Sequence, residues 1–236
     1  MMASFPLSRS ARRRLLIAGA AFVTACATVS GSAALAASGP APRATPAVSP
    51  HSARVPRPVA VTVNPATTAY LLLDLTSVVC APNSSCVATL PAAAALLAKA
   101  RAAGATVIYS ETTTAGSQIL PQVAPQPGDP VVKAHADKFF GTDLNQILTA
   151  RGIKTLVIVG TVANGAVLYT TFEANLRGYT VVAAEDGLSS DSAFIMRYSL
   201  FQLLNEPGFT NAQNAPLQAD GVTLSTSKLV TFQASS

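Results

Sequence analysis

Four short apolar runs constrain this chain most. Each ends at a polar residue or a glycine, and each is followed by a stretch with turn or helical spacing. They are "AYLLLDL" (69–75), "ATVIYS" (105–110), "KTLVIVG" (154–160) and "YTVVAAED" (179–186). A strand with one wet face alternates apolar and polar residues, whereas a continuous apolar run is covered on both faces. The intervening stretches supply the cover. "LPAAAALLAKARAAG" (90–104) places Pro91 in a first helical turn, Lys99 and Arg101 in a last one and Gly104 past the end, the order of helix start and stop signals. "GTDLNQILTARG" offers Thr142 as a cap and Gly152 as a stop, Asn164 to Arg177 reads as a helix, and "SDSAFIMRYSLFQLLNEPG" is a capped helix stopped by Pro207. "KLVTFQ" (228–233) reads as the last strand, and "VAVTV" (59–63) as a strand pairing at an edge. The expected fold is α/β, with a parallel, Rossmann-like central sheet and helices on both faces.

In such sheets ligands sit beyond the C-terminal strand ends. That rule selects Asp74, Ser110 to Thr114, the turn from Gly160 to Ala166, and Glu185-Asp186. The loop "TTTAGSQILPQVAPQPGDP" (112–130) is long for a connection, which marks it as functional or mobile. Asp74 follows three leucines. It is either a turn former or an acid/base group partly desolvated by its neighbours. Lys133 follows an apolar approach, Pro130-Val131-Val132. Carried inward, it would favour the ionised form of Asp74 and stabilise anionic charge on a substrate. Thr161, Val162, Asn164 and Gly165 form a small-residue turn at a helix start, where unsatisfied N–H groups suit a substrate oxygen.

The first 58 residues hold seven arginines and no acid, leaving nine Lys+Arg against all eleven Asp+Glu in the rest. The sequence pI near 9.4 therefore belongs to the leader, and no nucleic-acid partner is expected. "SARRRLLIAGAAFVTAC" (10–26) has a basic segment and then an apolar stretch from Leu15 to Ala25, shorter than the about 20 residues a membrane span needs. It reads as an export signal over residues 1–36. Arg12-Arg13 resembles a twin-arginine signal, with general secretion the alternative. "VTAC" resembles a bacterial lipobox, which would tether the mature protein to a membrane through lipidated Cys26; Ala34-Leu35-Ala36 fits ordinary cleavage instead. Either route implies an exported bacterial protein, periplasmic, lipid-anchored or secreted. Residues 37–58 read as a Pro/Ala/Ser-rich linker and 59–236 as one domain. Outside the cytoplasm Cys80 and Cys86, in "CAPNSSC", form a disulfide; the alternative is a reactive thiol.

Together these pieces resemble the isochorismatase-like (cysteine hydrolase) superfamily. The resemblance rests on "LLLDL", on a lysine ahead of an aromatic-x-G-T-D-L stretch in "KAHADKFFGTDL", on "GTVANGAVLYTTFEANLRGY" and on the acidic turn "VVAAEDGLSSDS". It covers residues 69–204. It implies that Asp74 is the catalytic aspartate, Lys133 the catalytic lysine and Ala166 the position of the nucleophile, with a non-proline cis peptide at Thr161-Val162. It also implies a homo-oligomer. The chain departs from the pattern in three places. Ala166 carries no thiol, Thr76 stands where a glutamine is common, and the only histidines are His51 and His135. No metal and no cofactor are therefore expected. Isochorismatases proper are similar in lacking the cysteine: their aspartate protonates a vinyl ether and water completes the cleavage. The expected function is hydrolysis of a small molecule by Asp/Lys acid–base chemistry. The alternatives are a catalytically inactive small-molecule-binding protein on the same fold, and an enzyme using Cys80 or Cys86 as a relocated nucleophile.

Overall fold

The computed structural model describes residues 54–234. The export signal, Cys26 and most of the linker lie outside these residues. Six strands, β2 (Thr68–Leu73), β3 (Thr106–Glu111), β4 (Val131–Lys133), β5 (Thr155–Thr161), β6 (Thr180–Ser189) and β7 (Val222–Ser225), form one parallel sheet in the order β4-β3-β2-β5-β6-β7. Two short strands, β1 (Val61–Val63) and β8 (Val230–Phe232), pair with each other in parallel as a separate sheet. The helices are α1 (Ser84–Val87), α2 (Leu90–Ala102), α3 (Leu144–Ala150), α4 (Leu168–Leu176) and α5 (Ala193–Leu204).

The continuous apolar runs divide between two cores with the period of a strand. Leu71, Leu73, Leu156, Ile158, Val181 and Ala183 point to one face, against α3, α4 and α5 through Leu144, Leu148, Ala174, Leu203 and Leu204. Tyr70, Leu72, Val157, Val159, Val182 and Ala184 point to the other, against α2 and the β1–β8 pair through Leu90, Leu96, Ala100, Val61 and Val230. Every β2 side chain is buried. The one phenol among them, on Tyr70, donates to the Ala93 carbonyl at 2.9 Å, so its burial leaves no unpaired polar atom.

Chain order reverses between β2 and β5, so the switch point of the sheet lies over their C-terminal ends. The two strands approach closely there. Gly160 has φ +135, and a Cβ on it would stand 2.1 Å from the Leu73 carbonyl oxygen. Only glycine fits.

Several details differ from the sequence expectations. β6 does not stop at its acidic pair but continues to Ser189. Ile158 pairs with Ala183 and Gly160 with Leu188, so Glu185-Asp186-Gly187 bulge out of register. β7 was not anticipated, because "VTLS" is short and lies after an irregular stretch. Thr142 does accept from the Leu144 N–H at 3.2 Å at the start of α3. At the N-terminal boundary Val55 packs on the core and the Arg57 carbonyl accepts from Asn214, so the last linker residues belong to the domain. Among the described residues no helix is long and apolar enough to cross a membrane.

Gly160→Ala is expected to lower stability by about 2 kcal/mol or more, since it adds a clash with backbone to a positive φ. Chemical denaturation of the variant against the parent checks this.

Candidate active site

Asp74 is the first residue after β2, and its backbone turns into the left-handed region at φ +53. That conformation costs most side chains about 1–2 kcal/mol and is commoner for Asp and Asn. Ser110, at the end of β3, holds the turn from both sides. Its Oγ accepts from the Asp74 N–H at 3.2 Å and donates to Asp74 Oδ1 at 2.8 Å. The other carboxyl oxygen, Oδ2, accepts from Lys138 Nζ at 2.7 Å.

The lysine paired with Asp74 is therefore Lys138, and the expectation for Lys133 is corrected. Lys138 is fully buried. Its three N–H donors go to Asp74 Oδ2, the Ala134 carbonyl (3.2 Å) and the His135 carbonyl. The Lys138 N–H donates to Thr170 Oγ1 at 3.1 Å, and Thr142 Oγ1 donates to the Lys138 carbonyl at 2.6 Å. The residue is thus fixed by its backbone as well as its head group. Lys133 ends β4, in which only the central Val132 is buried. Strand alternation turns Lys133 outward, where it pairs with Glu111 at 2.9 Å and keeps a side chain 64% exposed. No local signal separates the two lysines, which both precede the aromatic pair in "KAHADKFFGTDL".

Burial pushes the Asp74 carboxyl up from the ordinary carboxylate range. The Lys138 ammonium and the Ser110 hydroxyl oppose the rise, and the Glu111 carboxylate adds to it.

Beyond β5 the Thr161-Val162 peptide is cis. A π-helical turn, Ala163–Val167, then leads into α4. Such turns often mark functional sites. Thr161, Val162, Gly165 and Ala166 line a cavity of about 330 Å³ together with Asp74, Val79, Thr112, Thr113, Thr114, His135 and Ala136. Asn164, expected to bind substrate, is exposed and is not part of this lining. Ala166 presents a buried methyl group beside Asp74's cavity. Glu185 and Asp186 do not line it either. Asp186 accepts from the Ser227 N–H and hydroxyl at 2.7 and 2.6 Å and so fastens the segment between β7 and β8.

Cys80 and Cys86 are joined in a disulfide, and both are fully buried. That arrangement leaves neither sulfur free to act as a relocated nucleophile. The bridge closes the segment that directly follows Val79 of the cavity wall. The same segment docks on the end of β6 through Ser85 Oγ to the Ser190 carbonyl (2.8 Å) and Asn83 to Asp191 (3.2 Å).

A parallel sheet with a buried carboxylate–lysine pair at its switch point, facing a strand-to-helix elbow, defines an α/β protein with a cavity over the C-terminal ends of its central strands. The chain belongs to the isochorismatase family of hydrolases: the isochorismatase domain matches residues 68–206. It is 31% identical to a secreted isochorismatase effector, Isc1, from Verticillium dahliae over 134 residues, covering 49% of this chain and 70% of that protein. It is 29% identical to an N-carbamoylsarcosine amidase from Arthrobacter over 115 residues, or 47% of this chain and 44% of that protein. This chain therefore spans under half the length of the amidase. Its fold is similar to that of a cysteine hydrolase from Pseudomonas syringae pv. phaseolicola, with a TM-score of 0.62 and 23% identity over 73% of this chain and 94% of the other.

The two lysines are expected to separate on mutation. Lys138→Met should cost about 3 kcal/mol, because it strands a buried carboxyl, whereas Lys133→Met should change stability by under about 1 kcal/mol. A carboxyl whose native pKa is raised contributes stability at low pH and loses it as pH rises. Without Lys138 to oppose the rise, the loss should be smaller at pH 4 than at pH 8. Urea unfolding at the two pH values measures both effects.

Proposed function

We propose that this chain is an exported hydrolase that cleaves a small molecule through Asp74, supported by Lys138, with no thiol nucleophile. The observation that carries the proposal is the Asp74 carboxyl, held by Ser110 and Lys138 and opening on a cavity that has the Ala166 methyl at its elbow. Burial draws Asp74 towards its protonated form while Lys138 and Ser110 hold the ionised form, so the group is placed both to give and to take a proton. Asp74 would pass that proton to the substrate. Water would add to the electron-poor carbon that results, the leaving group would depart, and the proton lost by the water would return to Asp74. Lys138 has no N–H left for a substrate. Its part is to position the carboxylate and stabilise it once the proton has left.

The cavity lining holds no lysine or arginine, and three threonines, Thr112 to Thr114, are part of it. These features favour an uncharged, carbonyl- or ether-bearing substrate over a dianion. Export is supported by the basic and apolar order of residues 10–26 and by the secreted V. dahliae relative. The alternative, a binding protein without turnover, is favoured by the Ala166 methyl and by Thr76 at the position where a glutamine is common.

A hydrolysis screen of purified protein on neutral amides, carbamates, vinyl ethers and N-acyl compounds tests the proposal. Asp74→Asn keeps a residue tolerant of the left-handed turn and should lower turnover by about 10²–10⁴-fold, as should Lys138→Met, while Lys133→Ala retains it. As a general acid, Asp74 should give a rate that falls as pH rises through its pKa. Absence of turnover across the panel, with a compound still raising the melting temperature, would establish the binding protein instead.

A further inference from the structure

α5 ends at Leu204, and the chain then turns through Asn205-Glu206-Pro207. The Glu206 carbonyl fixes that turn: it accepts from the Phe209 N–H at 3.0 Å and from Thr210 Oγ1 at 3.2 Å. The Glu206 side chain makes no such contacts. The residue is 1% exposed, and neither carboxyl oxygen has a hydrogen-bond partner. Buried polar groups are normally paired, and a buried carboxyl without a partner is costly. Its place just past the C-terminal end of a helix adds to the cost, because that end carries partial negative charge and favours a cation. What the carboxyl lacks is a positive group that brings N–H donors.

Beside it there is room for one. Tyr169 and Phe172, three apart on α4, share a helix face, as do Tyr198 and Gln202, four apart on α5. The two faces line a cavity of about 320 Å³, which Glu206 and Pro207 complete. Tyr169 and Tyr198 are 54 and 48% exposed, so the aromatic walls open to solvent. Phe172 is held by Phe209, edge-on with ring centroids 6.2 Å apart. Aromatic faces attract organic cations. None of these residues lines the Asp74 cavity.

We propose that this socket binds a small aryl- or alkylammonium ion, whose apolar body lies among Tyr169, Phe172 and Tyr198 and whose ammonium group donates to the Glu206 carboxylate. A quaternary ammonium would leave the carboxyl oxygens without donors, and an anion would meet an unpaired acid. The site thus selects a cation with N–H groups. The proposal does not depend on the activity proposed above.

Binding should respond to pH. Burial pushes the empty carboxyl up to about 8. The titratable side chains lining the socket with it are Tyr169 on α4 and Tyr198 on α5. The charged residues of α4, Glu173 and Arg177, pair with each other, and Arg197 of α5 is exposed and outside the lining. The cation takes the ionised carboxylate, so binding releases a proton and tightens as pH rises through about 8.

Calorimetric titration of the purified protein with benzylammonium, phenethylammonium and cyclohexylammonium, at about pH 6.5 and about pH 8.5, tests the proposal, with benzyl alcohol as the neutral control. The expected result at the higher pH is an amine bound about tenfold or more tightly than benzyl alcohol, and about tenfold or more tightly than at the lower pH. Glu206→Gln keeps the shape and removes the acid, so it should abolish both differences. Tyr198→Ala, at a half-exposed position, should weaken amine binding several-fold, whereas Asp74→Asn, in the other cavity, should leave it unchanged. No heat of binding from any amine up to about 10 mM, or an amine preference that survives both Glu206→Gln and Tyr198→Ala, would overturn the proposal. Amine binding lost in Asp74→Asn and kept in Glu206→Gln would also overturn it, by placing the ligand in the Asp74 cavity.

Discussion

The buried ion pair between Asp74 and Lys138 is the constraint on which the site depends. Taking two charges out of water is expensive, and the attraction between them compensates only when every remaining donor and acceptor is placed. Here the lysine's three donors and both carboxyl oxygens all have partners. Those partners come from β2, from β3 through Ser110 and from the turn after β4, with Thr170 of α4 holding the lysine's backbone. Displacing β2 or the turn after β4 would leave a buried charge unpaired, so the pair ties the inner strand ends and the turn to a single geometry, with α4 fastened to the turn through Thr170.

That geometry also explains why an elbow without a thiol need not be empty of purpose. In the family resemblance the nucleophile's position falls at Ala166, and the chain puts a methyl group there. The surrounding construction is nonetheless kept: Gly160 lets β5 approach Leu73, the Thr161-Val162 peptide is cis, and a π-helical turn opens α4. Such a frame around a carboxylate suits the proposed acid–base chemistry by Asp74, which needs no sulfur atom. The frame is backed in turn by α4 and α5, which pack on the same core.

The fold was legible because its determinants are local and repetitive. Runs apolar at every position state that both faces are covered, and the order of runs and helices states that the sheet is parallel. Asp74, Ser110 and the turn at Thr161 to Ala166 were legible for the same reason, since they end strands that the pattern locates. β7 was not, because four residues after an irregular stretch carry too little period to stand out. The bulge at Glu185-Asp186-Gly187 was not, because nothing local distinguishes a strand that ends from one that resumes after an insertion.

The sequence by itself thus determined the α/β class, the strands whose ends form the site and the aspartate that ends the first of them. Only the tertiary structure decided which of two lysines five residues apart meets that aspartate. The choice turns on side-chain direction: strand alternation sends Lys133 outward to Glu111, and the turn after β4 sends Lys138 into the interior. Direction over such a distance depends on how the turn packs against α4, and no local propensity encodes it.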